Sequence, residues 1–256
     1  MRLGKIRIFP IKSLDGLLVE QARVTPGGIL ENDRVYAIFD KDNRVVNGKR
    51  TVRVHELRCA FDAEIKEVRL WQNGESSPSQ FQLDAPSRME KWLGEYFGFS
   101  VTLRHEPQKG FPDDRTAFGP TITSESSMRE IQKWFPELAL ESLRRRFRAN
   151  LEVAEGEPFC EDRLFGAPDE LKPFRIGVVN FLGHNPCQRC VVPTRDPDSG
   201  EAVADFQKKF MELRKRTLPA WANAQRFNHF YRFAVNTSIP PTETGKVLRV
   251  GDTLAF

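Results

Sequence analysis

The chain has 256 residues, 39% hydrophobic and 29% charged, which is long enough to bury a core without disulfide staples and excludes a low-complexity or disordered class. Its net charge of +4 favours anionic ligands in general but is too small an excess to mark a nucleic-acid binder. No apolar run approaches the roughly 18 residues that span a bilayer, and four cysteines, two of them isolated at Cys59 and Cys160, are too few for a disulfide scaffold, so a reducing, cytoplasmic setting without a membrane is expected.

At the start, Ile6 and Ile8 alternate with Lys5 and Arg7 as in a half-buried strand, not as in a signal peptide. Up to about residue 85, strand candidates such as Val35 to Phe39 are separated by the turn chemistry of PIKSLDG, TPGGILENDR, DKDNR, VNGKR and QNGES. Strands at this spacing predict a β-barrel or sandwich. A helix follows, with Ser87 and Glu90 as a capping box, Met89, Trp92, Leu93, Tyr96 and Phe97 on one face, and Gly98 as its stop. Residues 105 to 120, HEPQKGFPDDRTAFGP, have three prolines and two glycines without a period. A connection is expected there, dividing the chain into domains 1–105 and 106–256.

A second helix is predicted from about Ser124, with Met128, Ile131, Trp134 and Phe135 on one face. Pro136 interrupts it before a short basic helix ending at Arg144 to Arg146. Strand candidates return at Leu151 to Ala154 and at Arg175 to Phe181, the latter leading into a cysteine loop. Beyond it, Val203, Phe206, Phe210 and Leu213 form a helical stripe opposite Lys208, Lys209, Arg214 and Lys215, a core face against a solvated one. The chain ends in strands at Tyr231 to Val235 and Lys246 to Phe256. Many strands, few helices and no βαβ series predict a mainly β (α+β) fold with peripheral helices.

The loop FLGHNPCQRCVVPTRDPDSGE spaces His184, Cys187 and Cys190 three apart. A structural zinc needs four ligands, and no second CxxC or HxxxH exists. A thioredoxin-like dithiol needs a helix after the first thiol, whereas Val191, Val192, Pro193 and Pro197 read as strand or loop. Two inert buried thiols remain open. So does a single thiolate on a soft or redox-active metal whose other ligands come from a cofactor. Arg189 beside Cys190 favours a thiolate, and Lys12, Ser13, Arg34, Arg148 and Asn150 are candidates for binding an anionic group, although no GxGxxG or Walker loop is present.

These pieces in this order resemble the MOSC superfamily preceded by its N-terminal β-barrel domain, over nearly the whole chain. The resemblance rests on IFPIKSLDG, GGILENDRVYAIFD, TITSESSM, RRFRANLEV, PFCEDRLF, FRIGVVNF, PCQRCVVPTRDPDSGE and GKVLRVGDTL. It implies an N-terminal β-barrel domain, a MOSC β-barrel-like domain with peripheral helices, and a bound molybdenum cofactor (Mo-molybdopterin) in the cleft between them. In relatives similar to the mitochondrial amidoxime reducing component, the second cysteine of this loop is the metal ligand, here Cys190. Cofactor contacts carry over to Lys12, Ser13, Arg34, Arg148, Asn150, Gln188 and Arg189, with Ser124, Glu125 and Tyr231 as further candidates.

The activity implied is two-electron reduction of a small N-hydroxylated compound, such as an amidoxime, a hydroxylamine or an N-hydroxylated base. Electrons would come from a separate flavin, haem or iron–sulfur protein, because no C-x₄-C-x₂-C run follows residue 190. His184, Asp196 and Tyr231 are candidates for moving protons. The rival expectation is a non-catalytic carrier of the cofactor, or of its sulfur, on Cys190. A weaker third candidate is nucleic-acid binding through Arg144 to Arg148 and the basic helix near Lys208, although no nucleic acid is the expectation. Pro193-Thr194-Arg195, Ala149 and His184 depart from the usual pattern, which puts substrate choice in doubt more than cofactor identity.

Overall fold

The computed structural model describes residues 1–114 and 116–256, and no helix in it is long and apolar enough to cross a membrane. The first half holds β1 (Arg2–Ile8), β2 (Leu17–Val19), β3 (Gln21–Arg23), β4 (Tyr36–Asp40), β5 (Leu57–Phe61), β6 (Glu67–Gln72), β7 (Ser79–Gln82), α1 (Ser87–Phe97) and β8 (Val101–His105). The second holds β9 (Ile122–Ser124), α2 (Glu125–Trp134), α3 (Leu140–Phe147), β10 (Leu151–Ala154), β11 (Lys172–Ile176), β12 (Val179–Gln188), α4 (Phe206–Arg216), β13 (Arg232–Ser238), β14 (Val247–Arg249) and β15 (Leu254–Ala255). The fold is α+β, dominated by strands, with the helices outside them.

The largest sheet runs β15-β11-β12-β13-β9-β10-β1-β2, and the start of β1 also meets the residues around β15. Leu3 N donates to Asp252 O (2.8 Å), Gly251 N to Leu3 O (2.7 Å) and Leu254 N to Met1 O (2.9 Å). The start of β1 therefore closes the sheet against the end of the chain, while Ile6 to Ile8 pair with β2. Closure removes the unpaired edges that an open sheet would expose. β3 pairs with β14, a second tie between the chain's two ends; β4 pairs with β8, and β5, β6 and β7 form a small sheet.

The alternation in β1 buries Leu3, Ile6 and Ile8. α1 ends as expected at Gly98, with φ +81°, but the Ser87–Glu90 capping box does not form. Pro86 starts the helix, and Glu90 Oε1 instead accepts the Leu103 N–H of β8 (2.8 Å), joining helix to sheet. α2 starts at Ser124, whose hydroxyl accepts from Ser127 N (3.2 Å), a side-chain cap on an otherwise orphaned amide. The single strand expected over Arg175 to Phe181 is in fact a hairpin of β11 and β12, turned at Gly177 with φ +56°, a backbone that favours glycine.

α2, α3 and α4 cover a second core built from Met128, Ile131, Trp134, Phe147, Phe206 and Phe210. Arg214, expected on the solvated face of α4, is 1% exposed and pairs with the buried Asp162, its guanidinium over Phe159 (3.9 Å). The correction follows from helical spacing: Phe206, Phe210 and Arg214 lie four apart, so the arginine sits on the apolar stripe.

Gly183 of β12 lies under the carbonyl of Leu164, where an added Cβ would come within 1.7 Å of that backbone oxygen. Gly183→Ala is expected to destabilise the fold by about 1–3 kcal/mol, read as a lower urea midpoint at unchanged slope.

Candidate functional site

A cleft of about 1020 Å³ opens between the two halves. Lys12, Ser13 and Arg34 reach it from the first half, and Arg148, Gln188, Arg189 and Cys190 from the second. The chain after β1 is fastened to the Asn32–Arg34 turn, with Phe9 N donating to Asp33 Oδ1 (2.9 Å) and Arg34 N to Phe9 O (2.8 Å). Ser13, Arg34 and Arg148 all have left-handed backbones, with φ of +76°, +54° and +52°. Such conformations are uncommon outside glycine and cluster at binding sites, because the surrounding structure must enforce them. Arg148 caps α3 in this conformation, which turns its side chain out of the helical run and into the cleft.

The guanidiniums of Arg34 and Arg148 stack on the same Phe9 ring, at 5.2 and 4.1 Å from its centroid. Arg34 donates to Asp33 (2.6 Å) and to Asn150 Oδ1 (3.1 Å), and Arg148 donates to Leu14 O (2.7 Å). Burial, with the neighbouring Arg34 charge, pushes the Arg148 guanidinium down to about 10. Two confined cations at one wall repel each other unless an anion joins them. Lys12 is already engaged: its ammonium donates to Phe111 O (2.8 Å) and Pro112 O (3.0 Å) and pairs with Asp113 (2.7 Å). Desolvation opposes ionisation of Asp113, but Lys12 and Arg34 outweigh it and hold this carboxyl well below its usual range.

Cys187 and Cys190 are free and half-buried, the first at the end of β12 and the second in the loop beyond it. Arg189 donates to Cys187 Sγ (3.2 Å) and to Phe147 O (2.6 Å), so its guanidinium serves the first thiol rather than Cys190 as expected. Among the described residues, no group of three or more His, Cys, Asp or Glu converges as a metal site. A protein-only zinc site at these cysteines is thereby excluded, and a metal on Cys190 must take its other ligands from elsewhere.

α3 holds the loop. Arg146, 2% exposed, donates to Pro193 O (3.2 Å), Arg195 O and Asp196 Oδ2 (3.1 Å). Arg145 makes a two-pronged pair with Asp198 (2.8 and 2.9 Å), and Arg144 one with Glu152 (2.7 and 2.7 Å). The arginine run read as a phosphate-binding face is thus turned inward onto the molecule's own carboxylates. Arg58 of β5 also reaches Asp198 (3.3 Å), which ties the first half to the loop.

The other sequence candidates lie behind the cleft wall or away from it. Asn150 is 1% exposed and acts on Arg34, with its Nδ2 donating to Arg7 O (3.1 Å). Glu125 pairs with Arg129 (2.6 Å) and Lys5 (3.4 Å) on the outer side of α2. Tyr231 is buried, its hydroxyl has no partner among the described residues, and burial raises its pKa. His184 bonds to Ser238 Oγ (2.8 Å), and Asp196 Oδ1 holds its own turn through Asp198 N (2.9 Å) and Ser199 N (3.1 Å). None of His184, Asp196 and Tyr231 lines the cleft.

Ser124 belongs to a buried cluster, where it and Ser127 donate to Glu161 Oε2 (2.9 and 2.7 Å). Burial, then the nearby Asp162 charge, pushes the Glu161 carboxyl up from 4.5 to about 7. The folded state therefore holds this proton more tightly than the unfolded chain. Its stabilising contribution is complete below pH 4.5 and is lost as pH rises through about 7. Stability measured by denaturant is expected to fall across that window, with the slope reduced in Glu161→Gln.

Sequence reasoning passed over Asp113, Asp114, Asn185 and Asn236, all of which line the cleft. The Asp113–Asp114 pair inside the proline-rich connection was the one visible signal, since a connection that carries adjacent carboxylates can be a binding loop.

Comparison with known proteins bears on this geometry. The family model of the MOSC N-terminal beta barrel domain matches residues 1–139, and that of the MOSC domain matches residues 115–255. Relatives include molybdenum cofactor sulfurase of Drosophila willistoni, 25% identical over 248 residues, and of Drosophila melanogaster, 24% identical over 246. Each match covers 84% of this chain, which spans about 30% of the length of those relatives.

Proposed function

This chain belongs to the MOSC family, linked to molybdenum-cofactor chemistry, and from that premise we propose that it is a molybdenum-cofactor oxidoreductase removing oxygen from N-hydroxylated compounds. When bound, the cofactor supplies the two-electron chemistry that turns an N–OH group into N–H with release of water. The observation that carries the reading is the Arg34–Arg148 pair stacked on Phe9 in the same cleft as the half-buried Cys190.

The donor set suits an anionic pterin. Arg34 and Arg148 would hold its phosphate, with Asn150 keeping Arg34 in place. Ser13, Gln188 and Arg189 would meet the rest, and Cys190 would be the one protein ligand to the metal, a soft thiolate for a redox-active ion. Lys12 can join only by exchanging Asp113 for the ligand's anion, since the 111–113 loop uses its three protons. Electrons come from a separate flavin, haem or iron–sulfur protein.

Purified protein with bound molybdenum, given a chemical reductant and benzamidoxime, is expected to form benzamidine. Failure with several N-hydroxylated substrates overturns the reading. A second reading, in which Cys190 carries the cofactor's sulfur, is favoured by the sulfurase relatives. A transferable sulfur on Cys190 without turnover would establish it instead.

A further inference from the structure

Besides the cationic cluster, the cleft is lined by two amides and a carboxylate, Asn185, Asn236 and Asp114. Asn236, on β13, is 8% exposed and stands in register with Asn185 of β12. Its Nδ2 donates to Asn185 Oδ1 (3.2 Å) and to Asp114 Oδ2 (3.2 Å), which uses both protons. Asp114 Oδ1 accepts from Thr116 N (2.8 Å), Thr116 Oγ1 (2.7 Å) and Ala117 N (3.3 Å). Asp114 is therefore fixed from both sides, and all three side chains line the cleft. Of the cleft's cations, Lys12, Arg58 and Arg145 are engaged with Asp113, Asp15 and Asp198 instead.

Three groups stay open to a ligand. Among the described residues, Asn185 Nδ2 and Asn236 Oδ1 have no protein partner, and Asp114 Oδ2 keeps a free lone pair beside the one Asn236 uses. Burial works against ionisation of Asp114, but the Thr116 amide and hydroxyl overcome it and keep the carboxyl below its usual range. Asn185 precedes Cys187 by two residues of β12, about 6–7 Å along a strand, so this wall adjoins the thiols.

Resting on the reductase reading, we infer that Asp114, Asn236 and Asn185 select substrates by their N–H edge. The matching group is a planar N–C–N unit, as in an N-hydroxylated amidine, guanidine or amino-substituted base. Its amino protons reach Asp114 Oδ2 and Asn236 Oδ1, and its imino or ring nitrogen accepts from Asn185 Nδ2. An N-oxide, which has acceptors alone, gains nothing from Asp114 and meets a carboxylate of like polarity. The wall thus discriminates among reducible N–O compounds without touching the bond that breaks.

Benzamidine is the binding probe, and benzamidoxime and an aromatic N-oxide are the substrates, all with cofactor-loaded protein. Wild type is expected to bind benzamidine in a calorimetric titration, with Asp114→Asn weaker by about 10- to 100-fold, the value of a hydrogen bond to a charged group. The kcat/KM for benzamidoxime should fall in parallel, and that for the N-oxide by less than about 3-fold, because it makes no such bond. Asn185→Ala removes a neutral donor that holds no loop, and a several-fold loss of kcat/KM confined to benzamidoxime is expected, because protonated benzamidine has no lone pair to accept from Asn185 Nδ2, so this variant serves even if Asp114→Asn fails to fold. Equal benzamidine affinity in wild type and Asp114→Asn, or equal losses for the two substrates in either variant, overturns the inference. Benzamidine binding that depends on Asp114, in protein that reduces neither substrate, refutes the reductase reading and leaves the recognition wall standing.

Discussion

Cys190→Ser is expected to lower benzamidoxime reduction by about 10³-fold or more, the scale seen when a member of a catalytic unit is removed, while the melting temperature stays within a few degrees of wild type. The two halves of that result have separate causes. Serine offers a neutral hydroxyl where a soft, redox-active metal needs a thiolate, so the bond to the metal is lost rather than weakened. Stability is spared because Cys190 is half-buried, has no hydrogen-bond partner among the described residues, and differs from serine by one atom. Elemental analysis for molybdenum and turnover with benzamidoxime check it together. Cys187→Ser should keep its molybdenum, because Cys187 meets Arg189 and the carbonyl side of Gln188. Equal losses in both variants would contradict a single sulfur–metal bond.

Arg146→Met is expected to destabilise the fold by roughly 2–4 kcal/mol, the range for breaking a buried charged network, discounted because Asp196 keeps some solvent. The arginine side chain is 1% exposed and that of Asp196 is 37% exposed. Methionine fills the space along the stem but leaves the carbonyls of Pro193 and Arg195 and the Oδ2 of Asp196 without their donor. Urea denaturation measures the loss, and molybdenum content should drop with it, since the segment so released begins three residues after Cys190. Adding Asp196→Asn removes the stranded charge and should restore part of the stability. No restoration would place the cost in the carbonyls alone.

The departures of this chain from its family's usual pattern gain a physical reading from the same contacts. Pro193 loses a backbone donor, but its carbonyl is one of the acceptors that Arg146 binds. The added Arg195 donates to Gly200 O (3.0 Å) and closes its own turn, so its charge is spent locally. His184 lies beside Ser238, outside the cleft. On the inference above, substrate choice rests on Asp114, Asn185 and Asn236 rather than on the loop.

By itself the sequence determined the mainly β fold with peripheral helices, the helix start near Ser124, the helix stop at Gly98, and the family. Those features are local: alternation of apolar residues, a hydroxyl before a helix, a glycine after one, or a short motif can be read without knowing what packs against it. Only the tertiary structure decided which charges the protein's own carboxylates engage. Arg144, Arg145, Arg146 and Arg148 are near neighbours in the chain, yet the first three turn onto Glu152, Asp198 and Asp196 while the left-handed backbone of the last sends it to Phe9. Glu90, Arg214 and Lys12 were likewise settled by partners distant in sequence, on β8, at Asp162 and in the 111–113 loop. An ionisable side chain takes the partner that best offsets its desolvation, and that partner is brought near by strand register and barrel closure rather than by sequence spacing.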